Sequence, residues 1–403
     1  HPFGPTGVEA WAAQFHHYWL KARRQGEAEA LRRFSLEASM AHAGKFTLES
    51  QPQPQYAYHF DASLYAGLLR EIAEGCGVAR VEGKVVDVEL DGDSGFIEAV
   101  RLESGKRLDG DLFIDCSGFR GLLIQQALDT PWEDWSHWLP CNSAVALQTD
   151  AVIEAIPYTR AIAHHAGWQW RIPLQHRVGN GLVYCGEYMS DDEARAYLLK
   201  NITGAHRGTP RLLKFTTGRR LKNWNKNVVA LGLASGFVEP LESTSIHLIQ
   251  QGMIRLLHLF PHTGIKQTDI DEYNNQSRVE IEYIRDFIIL HYKVTNRDDS
   301  PFWNHCRTLD VPDTLAHRIQ LFRDTGRVFR ARADLFQENS WTQVMLGQGI
   351  MPEQYHPVAD VMSDDELTRF MGNIKSRVQG TVAKLPKHEA YVKQYCNAAR
   401  QPV

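Results

Sequence analysis

The chain has 403 residues, of which 43% are hydrophobic and 23% charged, a composition typical of a globular protein with two or three cores. Its 44 basic and 48 acidic residues give a formal net charge of -4 and are mixed along the sequence, without the basic block that would neutralise a nucleic-acid backbone. We therefore expect no nucleic-acid partner.

Hydropathy and the spacing of cysteine and histidine indicate where the protein is located in the cell and whether it binds a metal. The longest apolar run, residues 228–238, is interrupted by glycine and serine and is shorter than the ~20 residues that cross a bilayer, so we expect no membrane association. The six cysteines lie far apart without a CxxC pair, and the 18 histidines show no HExxH spacing. This pattern favours a reducing, cytoplasmic location and predicts no metal site.

The first predicted elements are a helix and a β-hairpin. Asp61 is a candidate cap for a helix that ends near Gly75 and whose apolar residues recur at helical spacing: Leu64, Leu68, Leu69 and Ile72. Residues 81–90 and 96–102 are rich in β-formers, and the sequence DGDSG between them favours a turn. We therefore expect an amphipathic helix followed by two paired strands.

Two buried strands are predicted to end in small residues. The first covers residues 111–116 and ends at Ser117 and Gly118, and the second covers residues 227–232 and continues through Gly232 and Gly236. Small residues at a strand end are expected where backbone passes close to a bound nucleotide. These four residues are therefore our candidates for cofactor binding.

The remaining segments divide into a sheet and a helical region. Residues 132–188 contain strand-like runs punctuated by glycine and proline, which predict an antiparallel sheet. Apolar residues at helical spacing predict a long helix over 246–260, and the same spacing dominates from about residue 268 to the C-terminus.

A carboxylate precedes the long helix. Glu242 stands directly before Ser243, Thr244 and Ser245, where free backbone N–H groups and the helix dipole favour an anion. An anion site beside a carboxylate is one hypothesis. The alternative is that Ser243 caps the helix and Glu242 is solvated, since serine is common at helix starts.

Two further groups of aromatic residues are candidates for ligand contact. Trp168 and Trp170 alternate and therefore project to the same face of an extended strand, which Pro173 would end. Core packing alone would also explain such a pair, because burying large rings is strongly favourable. His1 and Phe3 have rings suited to stacking on a planar substrate.

Two segments, in this order, resemble the flavin-dependent tryptophan halogenase family. Residues 168–173 read WQWRIP and match the family's W-x-W-x-I-P signature, while residues 239–244 read EPLEST and match its E-P-L-E-S-T stretch. The similarity extends from His1 to the C-terminus. Two separate matches to family motifs make this resemblance specific.

The resemblance implies a fold and a reaction. The fold is an α/β, flavoprotein-monooxygenase-like FAD-binding fold with an antiparallel sheet and a mostly helical C-terminal region. Residues 1–265 would form the FAD-binding region and 266–403 the helical substrate region. The enzyme would use FAD as FADH2, supplied by a separate flavin reductase, together with O2 to oxidise chloride or bromide to hypohalous acid. The acid would halogenate a small electron-rich aromatic such as indole or tryptophan.

The resemblance also implies roles for residues around Glu242. Glu242 matches the catalytic glutamate, proposed to take the ring proton, and Ser243 matches the serine near the substrate carbon. Thr244 and Ser245 match the pair proposed to hold halide. Ser245 departs from the pattern, because tryptophan-specific members usually carry glycine there.

The aromatic candidates match family residues as well. Trp168 and Trp170 match the tryptophans proposed to keep the substrate away from the flavin. His1 and Phe3 match an H-x-F pair that packs against the substrate ring. All four are therefore predicted to contact the substrate or to line its path.

Two family features lie ahead of the H-x-F pair. They are the Gly-rich dinucleotide loop and the catalytic lysine, and no G-x-G-x-x-G follows a strand in these 403 residues. We therefore expect a βαβ unit of roughly 30 residues or more ahead of His1. Without it, we expect weak flavin binding and no halogenation.

Two alternatives stay open at this point. An aromatic hydroxylase of the same broad flavoprotein fold would use NAD(P)H directly. A non-catalytic remnant would bind aromatic ligands without flavin.

Overall fold

The computed structural model describes residues 1–151 and 155–396. The chain folds into two units, each built from segments that are separated in the sequence. The first unit comprises His1–Phe60, Ser143–Leu213 and Ile289–Val403, and the second comprises Asp61–Asn142 and Lys214–Ile288. The chain passes between the units four times. The division at residue 265 into an FAD-binding region and a substrate region stays a prediction.

Within the described residues, three helices come first, α4 stands between β9 and β10, and seven helices follow the last strand. The helices are α1 (Phe15–Arg24), α2 (Leu36–His42), α3 (Ala62–Gly75), α4 (Asp191–Lys200), α5 (Ser245–His258), α6 (Gln267–Lys293), α7 (Pro301–Thr308), α8 (Asp313–Thr325), α9 (Glu338–Gly347), α10 (Asp364–Lys384) and α11 (His388–Tyr395). The strands are β1 (Val85–Leu90), β2 (Ile97–Leu102), β3 (Arg107–Asp109), β4 (Phe113–Asp115), β5 (Trp132–Asp134), β6 (Ser143–Thr149), β7 (Arg160–His164), β8 (Gly167–Pro173), β9 (Val178–Tyr184), β10 (His206–Lys214), β11 (Gly218–Arg220), β12 (Trp224–Asn225), β13 (Val228–Ala230) and β14 (Gly236–Phe237).

In the second unit, β4 and β13 form a parallel pair. Phe113 lies opposite Val228 and Asp115 opposite Ala230, and β12 pairs with the other edge of β13. All three residues of β13 are fully buried. The buried strand predicted at residues 227–232 is confirmed. A strand also forms within residues 111–116, but it is not buried throughout, because Ile114 is 38% exposed. Both strands end at the same edge of the sheet because the pair is parallel.

The predicted helix and hairpin of this unit are confirmed. Asp61 caps α3 by accepting a 2.9 Å hydrogen bond from the Ser63 N–H, and β1 and β2 pair antiparallel, although β1 begins at Val85 rather than residue 81. The apolar residues of α3 are about half exposed. Its predicted apolar stripe is therefore not part of a core within the described residues.

In the first unit, a five-stranded antiparallel sheet has the order β10-β6-β9-β8-β7. One of its faces packs on α4 through a cluster that includes Val145, Leu182 and Leu198. The antiparallel sheet predicted for this part of the chain is confirmed, and β8 ends at Pro173 as expected.

The C-terminal region is helical from α6 to α11, as predicted. In the first unit, α1 and α10 share a core in which Phe15, Trp19 and Leu367 are buried. Within residues 1–151 and 155–396, no helix has the length and apolarity needed to span a membrane. No disulfide joins the six cysteines, all of which belong to these ranges.

Two buried histidines follow one another on α1. The His16 Nε2–H donates to the Gly326 carbonyl at 2.7 Å, and His17 Nδ1 accepts from the His356 backbone N–H at 3.1 Å. Burial lowers the pKa of His16 to about 4. Burial, together with the positive charge that His16, His356 and Arg327 would carry, lowers the pKa of His17 to about 3. Both imidazoles are therefore neutral in the folded protein at neutral pH.

These shifts predict a loss of stability in mild acid. In the unfolded chain both histidines take up a proton near pH 6.5, whereas the folded protein resists protonation down to about pH 4. The unfolded state thus binds more protons in this window, and the free energy of unfolding should fall as pH falls from about 6.5 to 4. We expect a loss of roughly 1–2 kcal/mol per histidine at pH 5 relative to pH 7, measured by urea unfolding.

The control separates these two groups from the other histidines. His17→Asn keeps an acceptor for the His356 N–H but cannot titrate, so it should flatten the pH dependence. His262→Asn changes an exposed histidine and should leave the dependence intact. An unfolding free energy that is equal at pH 5 and pH 7 contradicts the prediction.

Candidate active site

The carboxyl ends of β4 and β13 bring three of the predicted cofactor residues to one edge. Ser117 and Gly118 follow β4, Gly232 follows β13, and the Leu231 N–H donates to the Asp115 carbonyl at 3.0 Å. Gly118 and Gly232 have φ values of 73° and 62°, a conformation that glycine adopts without strain. Apart from Gly118 and its two chain neighbours, no atom of the described residues lies within 4 Å of the position of a Cβ on Gly118. The edge therefore leaves open space beside the backbone, as a nucleotide-binding turn requires.

Asp115 holds the turn after β4. Its buried carboxylate accepts hydrogen bonds from the backbone N–H groups of Ser117 at 2.9 Å and of Leu123 and Ile124 at 2.8 Å. The three bonds fix the path of the chain from the strand into the following helical turn. Asp115 is not among the site residues predicted from the sequence, although a carboxylate at a strand end two residues before Ser117 could have indicated a role.

Arg220 joins the two turns from outside both strands. Its guanidinium is buried, donates to the carbonyls of Ala234 at 3.2 Å and Thr130 at 3.3 Å and to the Gln125 side chain, and lies 4.8 Å from the ring centre of Trp132. The cation thereby satisfies carbonyl groups that would otherwise be buried without donors. No local pattern in the sequence marks this residue.

Gly236 has a packing role that the other three candidates lack. It pairs with Arg219 in the sheet, and a Cβ there would lie 2.9 Å from Ile281 Cδ1 and 3.1 Å from the Gly218 carbonyl oxygen. Close approach between strands accounts for this glycine. Its contact with a cofactor stays a prediction.

The connection from β14 to α5 carries Glu242. Glu239 is fully buried, Pro240–Glu242 form a 3₁₀ turn, and Glu242 is partly buried. Ser243 has a φ of 55°, a left-handed conformation that costs a residue other than glycine of order 1–3 kcal/mol. Such backbone strain is concentrated at functional sites in proteins.

The start of α5 differs from the capping alternative. Thr244, not Ser243, occupies the N-cap position, and its side chain makes no capping hydrogen bond. Thr244 is only 3% exposed, and α5 continues for 14 residues from Ser245. The first backbone N–H groups of a long helix attract anions. In α5 these groups lie beside the buried Thr244 hydroxyl, and Glu242 precedes them closely in the sequence.

Hydrogen bonds from His247, near the start of α5, and Arg255, near its end, join this helix to Glu280 of α6. The His247 Nε2–H donates to Glu280 Oε1 at 3.1 Å, and Arg255 donates to Glu280 Oε2 at 2.7 Å and to Ser277 Oγ at 2.8 Å. Although burial favours the neutral acid, these two donors hold the pKa of Glu280 below its usual range. The network anchors the helix whose N-terminus follows Glu242.

The predicted tryptophan pair lies in the first unit, on β8. The rings of Trp168 and Trp170 are 6.1 Å apart between centres, as expected for alternate residues on one face. Trp168 is buried and Trp170 is partly buried. Gln169 points to the other face, where its side-chain oxygen accepts from His164 Nε2 at 3.1 Å.

His1 and Phe3 lie at the start of the first unit. The His1 ring meets Phe336 edge-on at 6.3 Å between centres, and Phe3 is 59% exposed. The adjoining Gly4 is held in place: Asn339 Nδ2 donates to its carbonyl at 2.9 Å, and the Glu37 carboxylate would clash with a Cβ on it. The predicted contact of both rings with substrate stays a prediction.

Three comparisons identify the relatives of this chain. The model of the tryptophan halogenase family matches residues 1–364. The chain belongs to the tryptophan halogenase family. It is 34% identical to tryptophan 6-halogenase ThaL of Streptomyces albogriseolus, over 99% of this chain and 80% of that protein.

Two solved structures are similar to this family member over nearly its whole length. Xcc4156, a flavin-dependent halogenase from Xanthomonas campestris, superimposes with a TM-score of 0.97 at 52% identity, covering 99% of this chain and 81% of that one. BrvH, a flavin-dependent halogenase from Brevundimonas, has a TM-score of 0.94 at 44% identity, covering 98% and 82%. The predicted fold class is thereby confirmed, and the protein is a flavin-dependent halogenase that uses FAD.

The comparisons favour the halogenase over the hydroxylase and the non-catalytic remnant. They assign no role to the individual site residues. In the described part of the chain, no group of three or more His, Cys, Asp or Glu side chains is placed to hold a metal ion.

The close contact between Trp170 and its cross-strand partner Gly181 predicts the effect of one methyl group. A Cβ on Gly181 would lie 1.9 Å from Cζ2 of the Trp170 ring, so Gly181→Ala must displace the indole. We expect a destabilisation of about 1–3 kcal/mol in urea unfolding, together with a changed near-ultraviolet circular dichroism spectrum.

Gly372→Ala is the matched control. Gly372 lies within α10 with no atom near its Cβ position, so alanine should leave stability equal or slightly higher. If Gly181→Ala unfolds at the wild-type urea concentration with an unchanged spectrum, the packing described for Trp170 is wrong.

Proposed function

We propose that this halogenase transfers chlorine or bromine to an electron-rich aromatic, an indole or a tryptophan-like compound, through hypohalous acid. The observation that carries the proposal is the direct succession of an open parallel-strand edge, a strained connection with Glu242 and the start of α5. One short segment thus offers a place for flavin, a base and an anion site. A separate flavin reductase would supply the reduced cofactor, and a cytoplasmic location stays a prediction.

FAD would lie against the turns that follow β4 and β13. Ser117, Gly118 and Gly232 would contact it, since the two glycines allow close approach of the ligand and the Gly118 side is open. Reduced FAD, when bound, would supply with oxygen the oxidising equivalents that convert halide to hypohalous acid. Gly236 would support the same turn from within the sheet.

Glu242 would act as the base that removes the ring proton after halogen addition. Glu242 is partly buried, and Pro240 restricts the backbone conformation of the turn that carries it. Ser243, held in a left-handed conformation, would present its hydroxyl beside the reacting carbon. The strain at Ser243 would then serve to place both side chains.

Halide would bind at the first turn of α5. Thr244 and Ser245 would hold it with backbone N–H groups, because the Thr244 side chain leaves them uncapped. A helix N-terminus alone contributes only ~0.3–1 kcal/mol to anion binding at an exposed position. The burial of Thr244 would increase this contribution by excluding water.

The aromatic residues of the first unit would direct the substrate. Trp168 and Trp170 would limit access of the aromatic compound to the flavin, so that halogen rather than oxygen is transferred. His1 and Phe3 would pack on the substrate ring. None of these four residues needs to take part in bond making.

Substitution of Glu242 tests the proposal. Glu242→Gln keeps the size and removes the base. In the protein that includes the segment expected ahead of His1, the rate of indole bromination with reduced FAD, oxygen and bromide should therefore fall by ~10²–10⁴. The measurement is the formation of bromoindole, followed by mass spectrometry.

The control is Glu103→Gln, which removes an exposed carboxylate of the same unit and should keep the wild-type rate. Flavin affinity should be equal in both variants, which separates loss of the base from loss of cofactor. Unchanged bromination by Glu242→Gln, or hydroxyindole as the only product of the wild type, contradicts the proposal.

A further inference from the structure

A groove of about 430 Å³ lies on one face of the five-stranded sheet of the first unit. Trp170 and three arginines line it: Arg177, Arg207 and Arg211. Small-molecule sites in proteins commonly have volumes of ~300–1,000 Å³, so the groove is large enough for a two-ring aromatic compound.

Glycines form the floor of this groove. A Cβ on Gly181 would collide with the Trp170 ring, and a Cβ on Gly179 would lie 3.7 Å from Arg177 Nη1. Since alternate residues of a strand face the same way, the indole and the guanidinium lie over one face, above positions about 7 Å apart along β9. Ala146 lies opposite Gly181 on β6, and its small side chain leaves space in the neighbouring part of the groove. A flat ring therefore has both a stacking surface and a neighbouring cation.

Among the described residues that line the groove, the charged ones are arginines. Arg207 forms an ion pair with Asp150, with 2.5 Å between Arg207 Nε and Asp150 Oδ1, and Arg211 is exposed on the same strand β10. The described residues that line the groove include no carboxylate. Guanidinium groups bind carboxylates through paired hydrogen bonds and repel ammonium groups.

We infer that this groove binds an aromatic carboxylic acid that lacks an ammonium group. The ring stacks on Trp170, and the carboxylate is bound by Arg177 and Arg211. An amino acid fits the same groove less well, because the guanidinium groups would repel its ammonium group. The identification of this ligand as the substrate rests on the proposed function, whereas its binding does not.

Isothermal titration calorimetry on the full 403-residue chain tests the inference. Indole-3-acetate should bind at least about tenfold more tightly than the neutral indole-3-acetamide, the effect expected of a charge-assisted contact. Tryptamine, which carries only the ammonium group, should bind more weakly than both. Equal affinities for the acid and the amide would overturn the inference.

Variants locate the site. Arg177→Gln combined with Arg211→Gln should abolish the preference for the acid and keep the affinity for the amide within about twofold. Arg195→Gln is the matched control, because Arg195 is on α4, which packs against the opposite face, and it pairs with Asp192. A preference that survives in the double variant places the acid elsewhere and overturns the inference.

A second arm distinguishes an aromatic acid from the phosphate of a flavin. The titration with indole-3-acetate is repeated in the presence of saturating FMN. An unchanged affinity supports the inference, and competitive displacement by FMN but not by riboflavin assigns the arginines to the flavin phosphate and overturns it. Bromination of indole, which has no carboxylate, is measured separately, so failure of this inference and failure of the proposed function are distinguishable.

Discussion

The parallel pairing of β4 with β13 is the constraint on which the site of the second unit depends. Because the two strands run in the same direction, they end at the same edge of the sheet, and the turns that follow them meet there. Asp115 fixes one turn through three backbone N–H groups, and Arg220 ties that turn to the other through carbonyl oxygens. Without these buried polar contacts, the backbone groups of both turns would be left without partners.

The same edge sets the position of the reactive segment along the chain. Only a short turn, β14 and a 3₁₀ turn separate Gly232 from Glu242, and α5 begins three residues after Glu242. The carboxylate and the helix N-terminus are therefore carried by one continuous path that starts at the proposed flavin edge. The path ends in α5, which His247 and Arg255 join to α6 through their hydrogen bonds with Glu280. A rigid support is what an enzyme needs to keep a base and a bound anion in a productive geometry.

Much of this arrangement could be predicted from the sequence, because it depends on local patterns. The strand ends at Gly118 and Gly232, the cap at Asp61, the alternation of Trp168 and Trp170 and the helix after Glu242 all have short-range causes. Other features could not be predicted, because residues distant in the sequence produce them. Arg220 joins the chain at Gln125, Thr130 and Ala234, and the two units draw on five separated segments. The left-handed Ser243 also lacks a sequence cause, since left-handed turns usually carry glycine or asparagine.

Anomalous diffraction from crystals grown with FAD and bromide tests this account most directly. We expect a flavin against Gly118 and Gly232 and a bromide peak at the backbone N–H groups that begin α5, beside Thr244 and Ser245. A flavin bound away from the β4–β13 edge, or a bound flavin with no bromide at the start of α5, would contradict it.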